Sequence, residues 1–82
     1  MKRFDRSQFL EQFKAEAMEH LQQLSRGVVL LERTPINKTL LEALLLRTHS
    51  FKGSAAIMGF KRIESILHKI EDGLEAMTQG DI

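Results

Sequence analysis

Apolar residues recur every three or four positions along the first part of the chain, which is the period of an amphipathic helix. This spacing predicts a first helix, which we expect to end near Arg33 because Thr34 and Pro35 cannot easily continue it. Asp5 and Gln8 have the spacing of a capping box at its start. The apolar stripe of this helix comprises Phe9, Phe13, Ala17, Leu21, Leu24, Val28 and Leu31.

The same period returns twice and predicts a second and a third helix. We expect the second to stop at Met58 and Gly59, since glycine can adopt the left-handed conformation that ends a helix. The third should end at Gln79 and Gly80. The second stripe comprises Leu40, Leu41, Leu44, Leu45, Thr48, Phe51 and Ala55, and the third comprises Ile63, Ile66, Leu67, Ile70, Leu74 and Met77.

The start of the second helix has two candidate caps. Thr34 with Pro35 fits an N-cap followed by a first helical residue, and Asn37 is the alternative. Few β-branched residues and a single proline disfavour strands. Because the connections are short, neighbouring helices should be antiparallel. We therefore predict an all-α, up-down-up helical bundle that forms one domain over residues 1–82.

The second helix is apolar over an unusually wide arc, since five leucines lie within two turns between positions 40 and 46. A wide arc suits a helix that has neighbours on several sides. We expect a fourth helix to be missing from the bundle, supplied either by a continuation of the chain or by a second copy. The uncovered face could then mediate self-association.

The composition of the chain limits the classes of function that it can have. The chain has 82 residues, 43% of them hydrophobic and 28% charged, which is the balance of a small globular domain. Its formal net charge of +1 gives no electrostatic case for nucleic acid as a partner. No apolar run is long enough for a signal sequence or a membrane span, and the lack of cysteine excludes thiolate metal sites. The expected location is the cytoplasm.

One face of the second helix carries residues that helix stability alone does not explain. His49, Lys52, Gly53 and Ala56 follow each other at positions i, i+3, i+4 and i+7, so they share a face that is offset from the leucine stripe. If the second and third helices are antiparallel, His49 lies beside the part of the third helix that ends at Glu71. A carboxylate that accepts a hydrogen bond from Nδ1–H would leave the Nε2 lone pair facing water.

That arrangement suits a nucleophilic histidine. The carboxylate stabilises positive charge on the ring, Lys52 could neutralise an incoming phosphoryl group, and Gly53 gives a bulky partner room. Each residue also has a structural explanation: Gly53 could be a packing glycine, and Glu71 could form a weak surface pair with His68. We assign no role to His20, and we place the aromatic and sulfur side chains of Phe51, Met58 and Phe60 in the core.

Three sequence motifs, taken together, indicate a protein family more specifically than any one of them does. The run HSFKGSA begins at His49, a Met-Gly-Phe triplet occupies 58–60, and HKIE occupies 68–71. This pattern resembles the histidine phosphotransfer (HPt) domain of CheA-type chemotaxis histidine kinases, in which H-[ST]-x-K-G-[GS]-[AS] precedes G-F and H-x-x-E. The resemblance extends over all three predicted helices. It implies a four-helix bundle, so a chain with three helices is expected to be an N-terminal fragment of a larger kinase.

The resemblance also implies roles for individual residues. His49 would accept the phosphoryl group at Nε2, Glu71 would hold its Nδ1–H, and Lys52 and Gly53 would flank the group. His68 would modulate reactivity. The phosphoryl group would come from the ATP-bound kinase domain of the parent protein and pass to an aspartate of a response-regulator receiver domain, which holds Mg²⁺. This domain would bind neither ATP nor metal, and would be a phosphocarrier and substrate rather than an ATP-binding catalyst.

Two other hypotheses remain open from the residues. The first is a non-catalytic helical interaction or dimerisation module, for which Leu44→Glu should abolish function while His49→Gln leaves it intact. The second is a zinc site built from His49, His68 and Glu71, which are acceptable ligand types. Lys52 next to such a site would repel a cation.

Overall fold

A computed structural model of the protein describes residues 6–34 and 37–80. The described chain forms α1 (Arg6–Arg33), α2 (Lys38–Met58) and α3 (Lys61–Thr78), and it contains no strand within those ranges. The all-α prediction and the three helices are thus confirmed, with ends at the expected residues. The capping box expected at Asp5 lies outside the described residues.

The turn between α2 and α3 is very short and is fixed by a glycine. Gly59 has a φ of 77°, in the left-handed region. Its N–H donates to the carbonyl of Ala56 at 3.0 Å, and the N–H of Phe60 donates to that of Ala55 at 2.9 Å. These two bonds form a Schellman motif, which satisfies the last carbonyls of α2 and reverses the chain. The position of α3 beside α2 therefore follows from this turn.

The cap of α2 is Asn37 rather than Thr34. The Asn37 side chain accepts a hydrogen bond from the backbone N–H of Leu40 at 3.1 Å. Thr34 instead extends the end of α1, because its N–H and its hydroxyl both donate to the carbonyl of Leu30. The alternative start at Thr34 is therefore wrong: a threonine that continues the bonding of one helix cannot also begin the next.

The central element of the bundle is α2. Its contacts with α1 run in opposite directions along the two helices: Ser54 donates to Glu16, Arg47 contacts His20, and the side chain of Leu44 lies against Gly27. α1 and α2 are therefore antiparallel, and the tight turn makes α3 antiparallel to α2. No Cα atom of α1 comes within 8 Å of one in α3 among the described residues.

The core forms where α2 meets its two neighbours. The ring of Phe13 on α1 lies 6.1 Å from that of Phe51 on α2 and 5.1 Å from that of Phe60 in the turn, so one aromatic cluster joins all three segments. Phe51 and Met58 are buried and Phe60 is partly buried, as expected. The buried apolar residues are Phe13, Leu24, Leu31, Leu41, Leu44, Phe51, Ala55, Met58, Leu67 and Leu74.

Parts of the apolar stripes predicted on the two outer helices are not buried. Because α1 and α3 have no Cα atoms within 8 Å of each other among the described residues, the flanks of their apolar stripes do not cover one another. Leu46 on α2 also points outward, with 72% of its surface exposed. The expected fourth helix stays a prediction. Stripe residues that are exposed are Phe9, Leu21, Val28, Ile66 and Ile70.

Gly27 lies at the closest approach of α1 and α2. It is buried, and a Cβ atom built there would collide with the side chain of Leu44. Gly27, which looks like a weak point in the helix from sequence, is therefore the residue that lets the two helices approach. Separately, no helix in the described part of the chain is long and apolar enough to cross a membrane.

We predict that Gly27→Ala destabilises the fold, although alanine is the better helix former. The new methyl group displaces the buried side chain of Leu44, and overpacking of this kind costs about 1–3 kcal/mol. Gly73→Ala is the matched control, because a Cβ atom there meets nothing within 4 Å. It should stabilise α3 by about 0.5–1 kcal/mol. Urea unfolding measures both, and the expectation fails if the two variants shift stability in the same direction.

Candidate functional site

His49 is displayed on the surface of α2 and held there by α3. Its side chain is 68% exposed, in agreement with the sequence expectation. Its Nδ1 lies 2.8 Å from Oε2 of Glu71. The two residues are 22 positions apart in sequence and meet because α2 and α3 are antiparallel around the turn at Gly59. The contact expected between the imidazole and a carboxylate from α3 is therefore present.

The carboxylate of Glu71 is buried and bridges two residues of α2. Only 8% of Glu71 is exposed, because it lies on the buried face of α3 between Leu67 and Leu74. Its Oε2 contacts His49, and its Oε1 accepts a hydrogen bond from Nζ of Lys52 at 2.5 Å. Among the described residues, no buried side-chain nitrogen or oxygen lacks a hydrogen-bond partner. Both carboxylate oxygens of Glu71 are thus satisfied from α2.

The ionisation of Glu71 follows from these partners. The hydrogen bond from Lys52, and then the one from His49, lower the pKa of Glu71 below its usual value of 4.5. Burial acts in the opposite direction but is outweighed. Glu71 is therefore a carboxylate at neutral pH and can only accept hydrogen bonds. Nδ1 of His49 must then carry the proton, and Nε2 is left with a free lone pair.

Lys52 is engaged by the carboxylate rather than projecting freely. Its side chain is 21% exposed, and its ammonium group lies against Glu71. The sequence interpretation placed this ammonium beside an incoming anion. In the structure its direct effect is on Glu71, which it keeps ionised and oriented. Any contact with an anion on His49 would have to share the ammonium with this carboxylate.

His68 lies next to the site but does not contact His49. Its side chain is 61% exposed, and its Nε2 is 3.9 Å from Oδ1 of Asp72, one turn along α3. With Lys52 and Lys61 it lines an open depression between α2 and α3. The structure thus brings His49, Lys52 and Glu71 together and leaves His68 on an adjoining surface.

Gly53 faces open space. A Cβ atom built at this position meets nothing within 4 Å, so close helix packing does not explain the glycine. Ala56 is exposed on the same face. Ala55, which belongs to the apolar stripe of α2, is fully buried in the core. The surface beside the imidazole is therefore flat at Gly53 and Ala56.

The zinc hypothesis finds no ligand set in the described residues. Within 6–34 and 37–80, no group of three or more histidine, cysteine, aspartate or glutamate side chains could hold a metal ion. His68 is directed towards Asp72, while His49 and Glu71 contact each other. The three residues named for a zinc site do not converge.

Sequence reasoning missed a second polar contact, on the α1 side of α2. Nη1 of Arg47 lies 3.3 Å from Nδ1 of His20. The His20 ring stacks on Phe51, with centroids 5.0 Å apart and planes tilted by 21°. Burial, followed by the charge of Arg47, lowers the pKa of His20. The neutral ring therefore accepts a hydrogen bond from Arg47. The 27-residue separation of the pair crosses two helices, so no local pattern reveals it.

Comparisons with known proteins agree with this geometry. The model of the Hpt domain family matches residues 8–82 of the chain. "Chemotaxis protein CheA" of Bacillus subtilis is 33% identical over 78 residues, which are 95% of this chain and 12% of that protein. The protein of the same name from Listeria monocytogenes is 38% identical over 66 residues, 80% of this chain and 11% of its own length.

A further relative comes from Halobacterium salinarum, whose "Chemotaxis protein CheA" is 32% identical over 74 residues, 90% of this chain and 11% of that protein. The chain therefore spans about a tenth of the length of the curated relatives it matches. No solved structure matches the chain.

We predict a specific loss of stability in acid. Because the folded-state pKa of Glu71 lies below its usual value of 4.5, the unfolded chain binds more protons as the pH falls below that value. The free energy of unfolding should therefore be fully supported by Glu71 above about pH 5 and fall as the pH drops through 4.5 towards the folded-state pKa. Denaturant unfolding between pH 6 and pH 3 measures this dependence.

Glu71→Gln should flatten that pH dependence because the amide does not titrate. Glu75→Gln is the matched control, since Glu75 is exposed on the same helix. Equal flattening by both variants would show that the buried carboxylate is not the source of the acid sensitivity.

Proposed function

Since the chain belongs to the Hpt domain family, we propose that it is the phosphotransfer module of a CheA-type histidine kinase and that His49 carries the phosphoryl group. The observation that supports this assignment is the hydrogen bond between Nδ1 of His49 and the buried carboxylate of Glu71. It fixes the tautomer of a ring that is otherwise exposed. The result is an outward-facing nitrogen nucleophile with no further side chain in its way at Gly53.

The first half-reaction is phosphorylation of His49. Nε2 attacks the γ-phosphorus of ATP held by a kinase domain, the bond from that phosphorus to the β,γ-bridging oxygen breaks, and ADP leaves. The imidazole gains positive charge as the P–N bond forms, while its Nδ1 proton stays in place. Glu71 opposes that charge at 2.8 Å through a charge-assisted hydrogen bond, which is stronger than one between neutral groups.

The second half-reaction returns the histidine to its starting state. An aspartate carboxylate of a receiver domain attacks the phosphorus, the P–N bond breaks, and Nε2 recovers its lone pair. Hpt domains of CheA-type kinases work with kinase and response-regulator partners in general. For this chain we propose that ATP stays on the kinase domain and Mg²⁺ on the receiver, and that both exchanges take place in the cytoplasm.

Lys52 and His68 support the reaction from different positions. Lys52 acts through Glu71: by donating to Oε1 it holds the carboxylate ionised and directed at the ring. His68 lines the depression that Lys52 also lines, so it adjoins the place where phosphoryl oxygens would lie. We propose that His68 modulates the reaction and is not required for it.

The decisive test is His49→Gln. Incubation of the wild-type chain with a CheA-type kinase domain and labelled ATP should give an acid-labile, base-stable phosphate, as expected for phosphohistidine, and the variant should give none. His68→Gln is the control histidine on the neighbouring surface and should keep the label. Label that persists in His49→Gln would remove the assignment.

The interaction-module alternative needs a different variant from the one the sequence suggested. Leu44 is 4% exposed and part of the core, so Leu44→Glu would unfold the domain and test nothing. Leu46→Glu changes a side chain that is 72% exposed on the same helix. If the alternative held, signalling would survive His49→Gln and be lost with Leu46→Glu.

We further predict that Glu71→Gln slows phosphorylation of His49 by about fivefold or more. The amide oxygen can still accept from Nδ1–H, but the ionic part of the bond is lost, and a hydrogen bond to a charged group is worth about 1 kcal/mol more than a neutral one. Lys52→Met should have a smaller effect in the same direction, since it weakens the carboxylate indirectly. Single-turnover phosphorylation rates measure both. A larger defect in Lys52→Met than in Glu71→Gln would instead place the ammonium on the phosphoryl group.

A further inference from the structure

A groove runs between α1 and α2 and opens beside His49, on the flank of α2 that faces away from Glu71. Its floor is apolar and includes Leu30, Leu40 and Leu44. Leu30 is 54% exposed, so this apolar surface is accessible. The groove wall includes Leu46, which lies about one turn before His49, and Ser50, which directly follows it. A protein bound in the groove would therefore touch the surface around the imidazole without covering its contact with α3.

The rim of this α1–α2 groove is basic. Arg26 of α1 and Arg47 of α2 both line it, and none of the described residues that line it is acidic. Glu16 and Glu19 lie near His20 at one end, where Glu16 is engaged by the hydroxyl of Ser54. Two arginines above an apolar floor fit a partner that presents apolar side chains flanked by carboxylates.

Arg47 is held in position rather than left to sample solvent. Its Nη1 donates to the neutral ring of His20, which is itself fixed by stacking on the buried Phe51. A guanidinium group has five N–H donors, and this contact uses one. The remaining donors can bind a carboxylate in the paired geometry that arginine favours. Because the side chain is already ordered, less conformational entropy is lost on binding.

We propose that Arg47, oriented by His20 and assisted by Arg26, is a specificity-determining anchor that binds a carboxylate on the receiver domain docked in the α1–α2 groove. This inference rests on the proposed function. The receiver is the favoured occupant because it holds Mg²⁺, and proteins hold Mg²⁺ mainly with carboxylates. Its surface around the accepting aspartate is therefore acidic and complementary to this rim.

The test is a charge reversal at Arg47 with a matched control. The phosphorylated wild-type chain, Arg47→Glu and Arg62→Glu are each mixed with a receiver domain that accepts from the wild type. Arg62 is exposed on α3 and undergoes the same change in charge. At low ionic strength Arg47→Glu should lower kcat/KM for transfer by about tenfold or more, mainly through KM, and the loss should shrink as salt is raised. Arg62→Glu should change it less than about twofold.

Further variants separate the charge from the fold. Arg47→Lys should restore part of the rate, and Arg26→Glu should weaken transfer in the same salt-dependent way without touching His20. Phosphorylation of His49 by the kinase domain should stay near the wild-type rate in each. A transfer defect in Arg47→Glu no larger than in Arg62→Glu would overturn the proposal. So would equal losses in transfer and in phosphorylation, which would assign the groove to the kinase.

Binding without chemistry distinguishes failure of this inference from failure of the proposed function. Calorimetric titration of the unphosphorylated chain with the Mg²⁺-loaded receiver needs no reaction at His49. His49→Gln should still bind, and Arg47→Glu should bind about tenfold more weakly. Unchanged binding by Arg47→Glu would refute the anchor even if His49 proved to be the phosphoryl acceptor.

Discussion

The buried carboxylate of Glu71 is the constraint on which the site depends. Removing a charge from water costs several kcal/mol unless partners replace the solvent. Here both partners come from α2, where His49 and Lys52 are one turn apart and occupy the two oxygens separately. A shift of α2 by a single residue would rotate these side chains by about 100° and leave the charge unpaired. Under the proposed function, the contact that would prepare His49 for chemistry therefore also specifies how α2 and α3 align.

The central position of α2 explains why its surface is divided so sharply. The helix buries one arc of its side chains against α1 and α3. Its remaining side chains, which form the outer arc, must be compatible with solvent and with a bound partner protein. Gly53 belongs to that outer arc, where packing does not require it. A glycine inside a helix costs about 1 kcal/mol relative to alanine. Since close packing does not require Gly53, the open surface next to the imidazole is a benefit that would offset this cost under the proposed function.

Features that depend on residues close together in sequence could be predicted, because local backbone geometry and helix periodicity determine them. The glycine turn at Gly59 sets α3 beside α2, and the expected level of Glu71 against His49 then follows from helix geometry alone. The same reasoning cannot place α1, because the candidate caps at Thr34 and Asn37 leave the geometry between α1 and α2 open in sequence. The pairing of His20 with Arg47 and the approach of Leu44 to Gly27 depend on that unknown docking.

Burial was harder to predict than helicity. A stripe of apolar residues shows which face of a helix avoids water, but not how much of that face a neighbour covers. Leu24 is buried while Leu21 and Val28 on the same stripe are half exposed, and no Cα atom of α3 lies within 8 Å of α1 among the described residues. The apolar flanks of α1 and α3 are consistent with a further helix, which sequence pattern alone had suggested from the leucines of α2.

The two sides of His49 differ in the kind of interaction they provide. Under the proposed function, this difference suits a residue that receives a phosphoryl group and then passes it on. On the α3 side the contact is anchored by the buried Glu71, which Lys52 also holds in place, so it can persist while partners bind and leave. On the α1 side Arg47 and Arg26 line an open groove, where an ion pair is screened by solvent and salt and is readily broken. A phosphocarrier must release each partner after every transfer. In the proposed function, the accessible arginines recognise the partner, whereas the buried carboxylate of Glu71 supports the chemistry. Nε2 of His49 can then stay ready to react while each partner binds reversibly.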